Sequence, residues 1–211
     1  MKPIVIMGAG GFARELMALL ETIGEWNIVG FVRSDAGGDR TQLHGYTNYP
    51  NIDSLRGDYP GLENLRYCLG AGAPAVKRAM DDEARRAGLK PAPPIIHPTV
   101  KLHRSVQLSD NVVLCEGTSL TVDIRIGYGT MLNLHCTVGH DTTIGAFCTC
   151  SPGVHLSGNV HVADDVECGT NSSVIPYVSL GERSVLGAGA VAVQPIPAGT
   201  VAVGIPAKPI R

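Results

Sequence analysis

Aliphatic residues recur at every sixth position through the carboxyl-terminal half of the chain. The phase starts at Ile96 and runs Leu102, Leu108, Leu114, Leu120, Ile126, Leu132, Val138, Ile144, Cys150, Leu156, Val162, Cys168, Val174, Leu180 and Leu186 without an insertion. Leu, Ile, Val and Cys make up only roughly a quarter of the sequence, so chance does not hold one phase for that long. A second register follows four residues after each of these: Val100, Val106, Val112, Thr118, Ile124, Thr130, Cys136, Thr142, Cys148, Val154, Val160, Val166, Ser172, Val178, Ser184 and Ala190. All are small or β-branched. The position just after the aliphatic is frequently glycine, as at Gly127, Gly139, Gly145, Gly169, Gly181 and Gly187. Each hexad therefore predicts a short strand and a corner, with both registers facing inward and the glycine turning the chain. Period six excludes an α-helix, whose apolar face returns at three and four, and a hairpin sandwich with irregular turn spacing.

The first 93 residues follow a different pattern. Residues 4–7 read as a buried strand, 8–13 as a glycine turn, and 14–23 as an amphipathic helix with Leu16, Leu19, Leu20 and Ile23 on one face. A second strand is expected at 27–32 and a third at 65–69, ending in Gly70-Ala71-Gly72. Residues 75–87 look helical, with Gly88 as the stop. Alternating strand, glycine turn and helix predict a small Rossmann-like α/β unit over 1–93, followed by a β-helix over 94–191 and a cap over 192–211. Gly8, Gly10 and Ala13 match a loose dinucleotide fingerprint, with Gly11 in the turn and Asp35 at about the expected distance. Three readings stand side by side: the nucleotide part of a substrate, a dinucleotide cofactor, or a purely structural turn. A unit of this size supplies one mononucleotide half, and Val32-Arg33 closes the second strand where a ribose-binding acid would be wanted, so the substrate reading is favoured.

Composition narrows the classes. Charged residues are 17% of the chain, aromatics 5%, and the net charge is −2, which gives no electrostatic footprint for nucleic acid or an anionic membrane. No apolar run reaches membrane-span length, and the apolar start reads as a strand rather than a signal peptide. The expected location is the cytoplasm, with the six cysteines reduced. Cys148-x-Cys150 invites a metal reading, but Cys136, Cys148, Cys150 and Cys168 occupy the inward positions of the repeat, so packing explains them and no metal is expected.

The hexads from Ile96 to Val191 resemble the hexapeptide-repeat acyltransferases. That resemblance implies a left-handed parallel β-helix with three hexads per coil, acetyl-CoA as cosubstrate, and a homotrimer. A glycine-turn α/β domain, then Ile96-His97-Pro98, then hexads resembles more closely the sugar O- and N-acetyltransferases of the sialic acid and bacillosamine type. In those enzymes the amino-terminal domain holds the nucleotide of a nucleotide-sugar. Gly8, Gly10, Gly11, Asp35 and Gly70 are the residues implied for this, although the pair of acids that usually follows the second strand is replaced by Arg33-Ser34.

Acetyl transfer from a thioester needs a base, an oxyanion donor and a groove for CoA. Of the seven histidines, six lie in the hexads and none of those sits at an inward position. His140 alone is followed directly by a carboxylate, Asp141, and 138–145 resembles the catalytic segment of the family, which implies His140 as base with Asp141 in support. His135 could line the same cleft or be a plain surface histidine. Ser157-Gly158-Asn159 resembles the family segment whose glycine N–H faces the acetyl carbonyl, a plain turn glycine being the alternative. Thr149 stands where several relatives carry a second histidine against the acetyl donor, so that either its hydroxyl substitutes or the contact is lost. Asn133 serves either substrate alignment or its own turn. Gly187 and Ala188, with Gly204, Pro206 and Lys208, resemble the CoA-binding finish of the family. The implied reaction is acetyl-CoA-dependent N-acetylation of a nucleotide-linked amino sugar; O-acetylation of a sialic-acid-like sugar and a non-catalytic nucleotide-sugar binder are the alternatives.

Overall fold

The structure, a computed structural model, describes residues 1–33 and 39–210. It divides into two compact units, Met1–Pro93 and Pro94–Arg211.

In the first unit β1 (Lys2–Met7), α1 (Gly11–Ile23), β2 (Trp26–Val32), β3 (Thr41–Leu43), β4 (Tyr46–Tyr49), α2 (Ile52–Asp58), β5 (Arg66–Leu69), α3 (Pro74–Arg86) and β6 (Lys90–Pro91) follow in order. The sheet order is β3-β4-β2-β1-β5-β6, parallel except for the β3–β4 pair. Strands β1, β2 and β5 are apolar because helices cover the sheet. Helix α1 buries Ala13, Leu16, Met17, Leu19 and Leu20, and ends at Gly24 in the left-handed region, whose N–H donates to the Leu20 carbonyl. The β3–β4 hairpin and α2 escape the hydrophobic pattern. The hairpin is polar and turns on His44 and Gly45, both at positive φ, which is the geometry of a tight primed turn. Helix α2 starts from Asn51, whose Oδ1 accepts the Ser54 N–H at 2.9 Å.

The second unit is a parallel β-helix. Two-residue strands pair with those 18 residues away, as Ser119 with Thr137, Arg125 with Thr143 and Met131 with Thr149, so three hexads make one coil and three sheets form its faces. Both predicted registers face the interior: Leu114, Leu132, Ile124 and Val154 are fully buried, and Thr130, Thr142, Ser172 and Ser184 are buried among them. Each aliphatic so buried contributes about 1.5–3 kcal/mol relative to exposure. Leu102 keeps the phase but remains 37% exposed. It forms no ladder strand, although Ile96 and Leu108 of the same terminal coil pair with Leu114 and Ile126.

The corners correct one expectation. The residue that turns the chain is not the glycine after the aliphatic but the residue three positions after it. Asn111, Gly117, Asp123, Gly129, His135, Asp141, Phe147, Gly153, Asn159, Asp165, Asn171, Tyr177, Arg183 and Gly189 all have positive φ. From Gly129 onward the backbone N–H there donates to a carbonyl of the coil before, as Asn159 does to His140 at 2.8 Å, while Gly117 and Asp123 donate to the hydroxyls of Thr99 and Ser105. The glycines after the aliphatic serve close approach instead. A Cβ on Gly127 would lie 2.5 Å from the Gly145 carbonyl carbon, and one on Gly169 2.5 Å from the Ala188 nitrogen. The cap is also more regular than expected. Val201–Val203 adds a further parallel strand beside Val185–Leu186, with Ala202 inward, and Lys208–Pro209 returns antiparallel to it.

Candidate active site

Because the corners stack, each coil contributes to three edges. One edge carries Val122-Asp123, His140-Asp141, Gly158-Asn159 and Pro176-Tyr177 in successive coils. It is tied by N–H donors of Asp141, Asn159 and Tyr177 to the carbonyls of Val122, His140 and Gly158 at 3.2, 2.8 and 3.3 Å. His140 Nδ1 and Asp141 Oδ2 are 2.7 Å apart. Asp141 can reach back this way because it is the left-handed residue of its corner (φ 58°). Both side chains are more than half exposed, so the contact adds little stability; its effect is to fix the ring's orientation and tautomer. The other ring nitrogen lies over the next coil, where a Cβ built on Gly158 would stand 2.6 Å from His140 Nε2. Gly139, one residue earlier, is needed because a Cβ there would meet the Gly158 nitrogen at 2.5 Å. Among the described residues the Gly158 N–H has no acceptor. An exposed imidazole with one nitrogen held by a carboxylate thus lies against the Gly158 backbone of the next coil.

Four other hexad histidines spend Nδ1 on a hydroxyl: His97 on Thr99, His103 on Ser105, His155 on Thr137 and His161 on Thr143, at 2.6–2.9 Å. His135 is the left-handed residue of the preceding corner, its ring stacked where Gly117 has no side chain. It therefore lies on a different edge from His140. Thr149 is buried in a strand of the third sheet, the one that does not border the His140 edge, so one chain does not bring it to His140 or Gly158. Asn133 Oδ1 accepts the Leu134 N–H at 2.7 Å, a contact within its own turn.

The carboxyl-terminal residues do converge. Gly187 lies against Val203, where a Cβ would approach Cγ1 to 2.7 Å. Gly204 accepts the Val191 N–H, Ala207 donates to the Val191 carbonyl, Ile205-Pro206 is cis, and Lys208 pairs with Val203. Ala188, beside the left-handed Gly189, is exposed on the same edge as His135.

In the amino-terminal unit a cavity of about 500 Å³ opens at the carboxyl ends of the parallel strands, lined by the turn 8–12, Arg33, 70–72 and Met80. Gly8 (φ 104°) approaches Met80 and the Gly70 carbonyl, and a Cβ on Gly70 would stand 2.7 Å from Ala13 Cβ. Gly10 and Gly11 face open space at the start of α1, whose first N–H groups have no side-chain cap. Arg33 is the only charged residue among the described lining. Asp35 lies outside the described residues. Arg33, read in the sequence only as a departure from an acidic pair, stands on the wall of this cavity.

Residues 3–83 match the PglD N-terminal domain family. The perosamine N-acetyltransferase of Caulobacter crescentus, solved as a His-to-Asn variant with CoA and GDP-perosamine, superposes with a TM-score of 0.90 at 28% identity, over 99% of this chain and 97% of that one. This chain resembles the hexapeptide-repeat amino-sugar N-acetyltransferases throughout its length. Its fold is their small α/β domain followed by a left-handed β-helix. The acetyltransferase domain of PglB from Neisseria gonorrhoeae, solved with acetyl coenzyme A, aligns at TM-score 0.86 and 26% identity over 99% of both chains. A putative acetyltransferase of Schizosaccharomyces pombe is 48% identical over 59 residues, which are 28% of this chain and 28% of that protein. The match to that curated relative thus spans under a third of its length.

Proposed function

We propose that the protein is an acetyl-CoA-dependent N-acetyltransferase acting on the amino group of a nucleotide-linked amino sugar. The observation that carries this is the His140–Asp141 pair set against Gly158, within a chain that aligns end to end with enzymes solved with CoA, acetyl-CoA and GDP-perosamine. As the sugar nitrogen attacks the thioester carbonyl, His140 Nε2 takes the proton the amine sheds, while Asp141 accepts from Nδ1–H and steadies the imidazolium. The tetrahedral oxyanion is held by the Gly158 N–H. Collapse breaks the C–S bond, and the proton returns from His140 to the departing CoA sulfur.

The nucleotide sits in the amino-terminal cavity, where the open start of α1 and the Arg33 guanidinium both favour an anionic diphosphate. Gly187, Ala188, Gly204, Pro206 and Lys208 hold CoA. They lie at the His135 edge and the end of the coil, away from the His140 edge. A complete site therefore needs a second chain's edge, which supports a homotrimer and gives His135 and Thr149 a route to the cleft from a neighbouring copy. All six cysteines are buried, and a reducing compartment such as the cytoplasm would keep them as thiols. No helix among the described residues is long and apolar enough to cross a membrane.

The test is thiol release from acetyl-CoA with a panel of GDP-, UDP-, CDP- and dTDP-linked amino sugars. An amide product stable to mild base is expected. A base-labile ester would redirect the reading to O-acetylation, and nucleotide-sugar binding without any thiol release would leave a binding protein.

A further inference from the structure

Corner residues of this coil are held at positive φ, and Asn, Asp and Gly fill most of them. Four others break the rule: His135, Phe147, Tyr177 and Arg183. Phe147 is buried, its ring packed edge-on against Tyr128 at 5.4 Å. Tyr177 has no such cover. It is 80% exposed, at φ 65°, a conformation that a bulky side chain disfavours. Its place on the edge is what gives it meaning. Tyr177 N–H donates to the Gly158 carbonyl, so it stands one coil beyond the candidate oxyanion donor and two coils, about 9.5 Å, beyond Asp141.

Direction along the edge distinguishes the two substrates. The residues that resemble a CoA-binding finish lie at the carboxyl-terminal end of the coil, beyond Tyr177. In the trimer proposed above, a thioester led from that end along the His140 edge passes Pro176-Tyr177 and then Gly158-Asn159. Val122-Asp123, on the other side of His140, is off that path.

We propose that Tyr177 is a positioning residue for acetyl-CoA, its exposed ring forming a wall against which the pantetheine arm lies as the thioester is led to Gly158 and His140. This rests on the acetyltransferase reading above. The pantetheine arm is a flexible chain of amides and methylenes. A rigid aromatic face buries its apolar stretches at little entropic cost, while the phenol oxygen stays in water.

The experiment compares Tyr177→Asn and Tyr177→Phe with the wild type in the full-length protein. CoA binding is measured by calorimetry, both KM values by thiol release, oligomeric state by light scattering, and Tm by thermal unfolding. Asn suits the left-handed corner, so Tyr177→Asn should keep or raise Tm. Losing the ring should raise the CoA Kd and the acetyl-CoA KM about tenfold, with the sugar KM and the oligomer unchanged. Tyr177→Phe should stay within about twofold of wild type. Unchanged CoA affinity in Tyr177→Asn overturns the assignment, as does a shift confined to the sugar KM or a loss of the oligomer. A wild-type protein that binds no CoA overturns the acetyltransferase reading as well, so the two failures are told apart.

Discussion

Two edges of the β-helix carry an exposed histidine, and they differ in what surrounds the ring. On one, His135 is itself the left-handed corner residue and packs over Gly117, with no carboxylate partner recorded among the described residues. On the other, His140 sits one position before the left-handed residue, and that residue is Asp141, 2.7 Å from Nδ1. The backbone is the same at both edges, and so is the device of a glycine in an adjacent coil that makes room for a ring. One residue of offset within the hexad decides whether the corner carboxylate can orient the imidazole. A repetitive scaffold thus makes a chemically distinct site by shifting a side chain along the repeat, without altering the fold.

The largest effect that would break this comparison is on turnover. Replacing His140 by Ala should lower kcat by about 10²–10⁴ with Tm unchanged, since the side chain is exposed, whereas His135→Ala should leave kcat within about threefold. Equal losses in steady-state assays would erase the distinction between the edges. Asp141→Asn should lower kcat about tenfold or more and change the pH profile, because an amide can no longer stabilise the imidazolium. An unchanged pH–rate profile would show that the carboxylate acts only as a corner residue.

Smaller effects test the backbone common to both edges. Gly127→Ala should cost about 2–3 kcal/mol in denaturant unfolding, because its methyl has nowhere to go but into the Gly145 backbone. Asn171→Gly, at a left-handed corner, should be neutral within about 0.5 kcal/mol. The reverse order would restore the expectation that the glycine after the aliphatic is the turning residue. The smallest effect concerns the interior between the edges. Burial, and next the neighbouring Cys150, pushes the Cys136 thiol up to about 12. The folded thiol should therefore resist alkylation at pH 8. Unfolded thiols ionise near about 8.5, so this group's contribution favours the native state at lower pH and is lost as pH rises above about 9. Labelling of the native protein at pH 8 would contradict it.

Much of the β-helix is legible in the sequence, because a short period repeats its evidence: Ile124, Leu132 and Val154 are inward for the same local reason, and each supports the others. The amino-terminal unit gives weaker signals. Its central strands and outer helices show as apolar runs and amphipathic spacing, but the β3–β4 hairpin is polar on both strands and α2 is a short helix whose start depends on one asparagine. Within the candidate site, His140-Asp141 was visible as a neighbouring pair. Its closeness to Gly158 was not, since 18 residues of sequence collapse into one coil spacing only when the chain winds.

By itself the sequence determined the architecture: a glycine-turn α/β unit and then a β-helix whose interior is set by period six. Local periodicity suffices for that, because which side chains face inward depends on strand geometry alone. Tertiary structure decided which residues meet. Stacking placed Gly158 over His140 and sent His135 to another edge and Thr149 to another face, while the parallel sheet put Arg33 on the wall of the amino-terminal cavity. It also showed that the glycines after each aliphatic make room for the adjacent coil while another residue makes the turn. Those relations exist only between coils or strands distant in sequence, and no pattern within a single hexad encodes them.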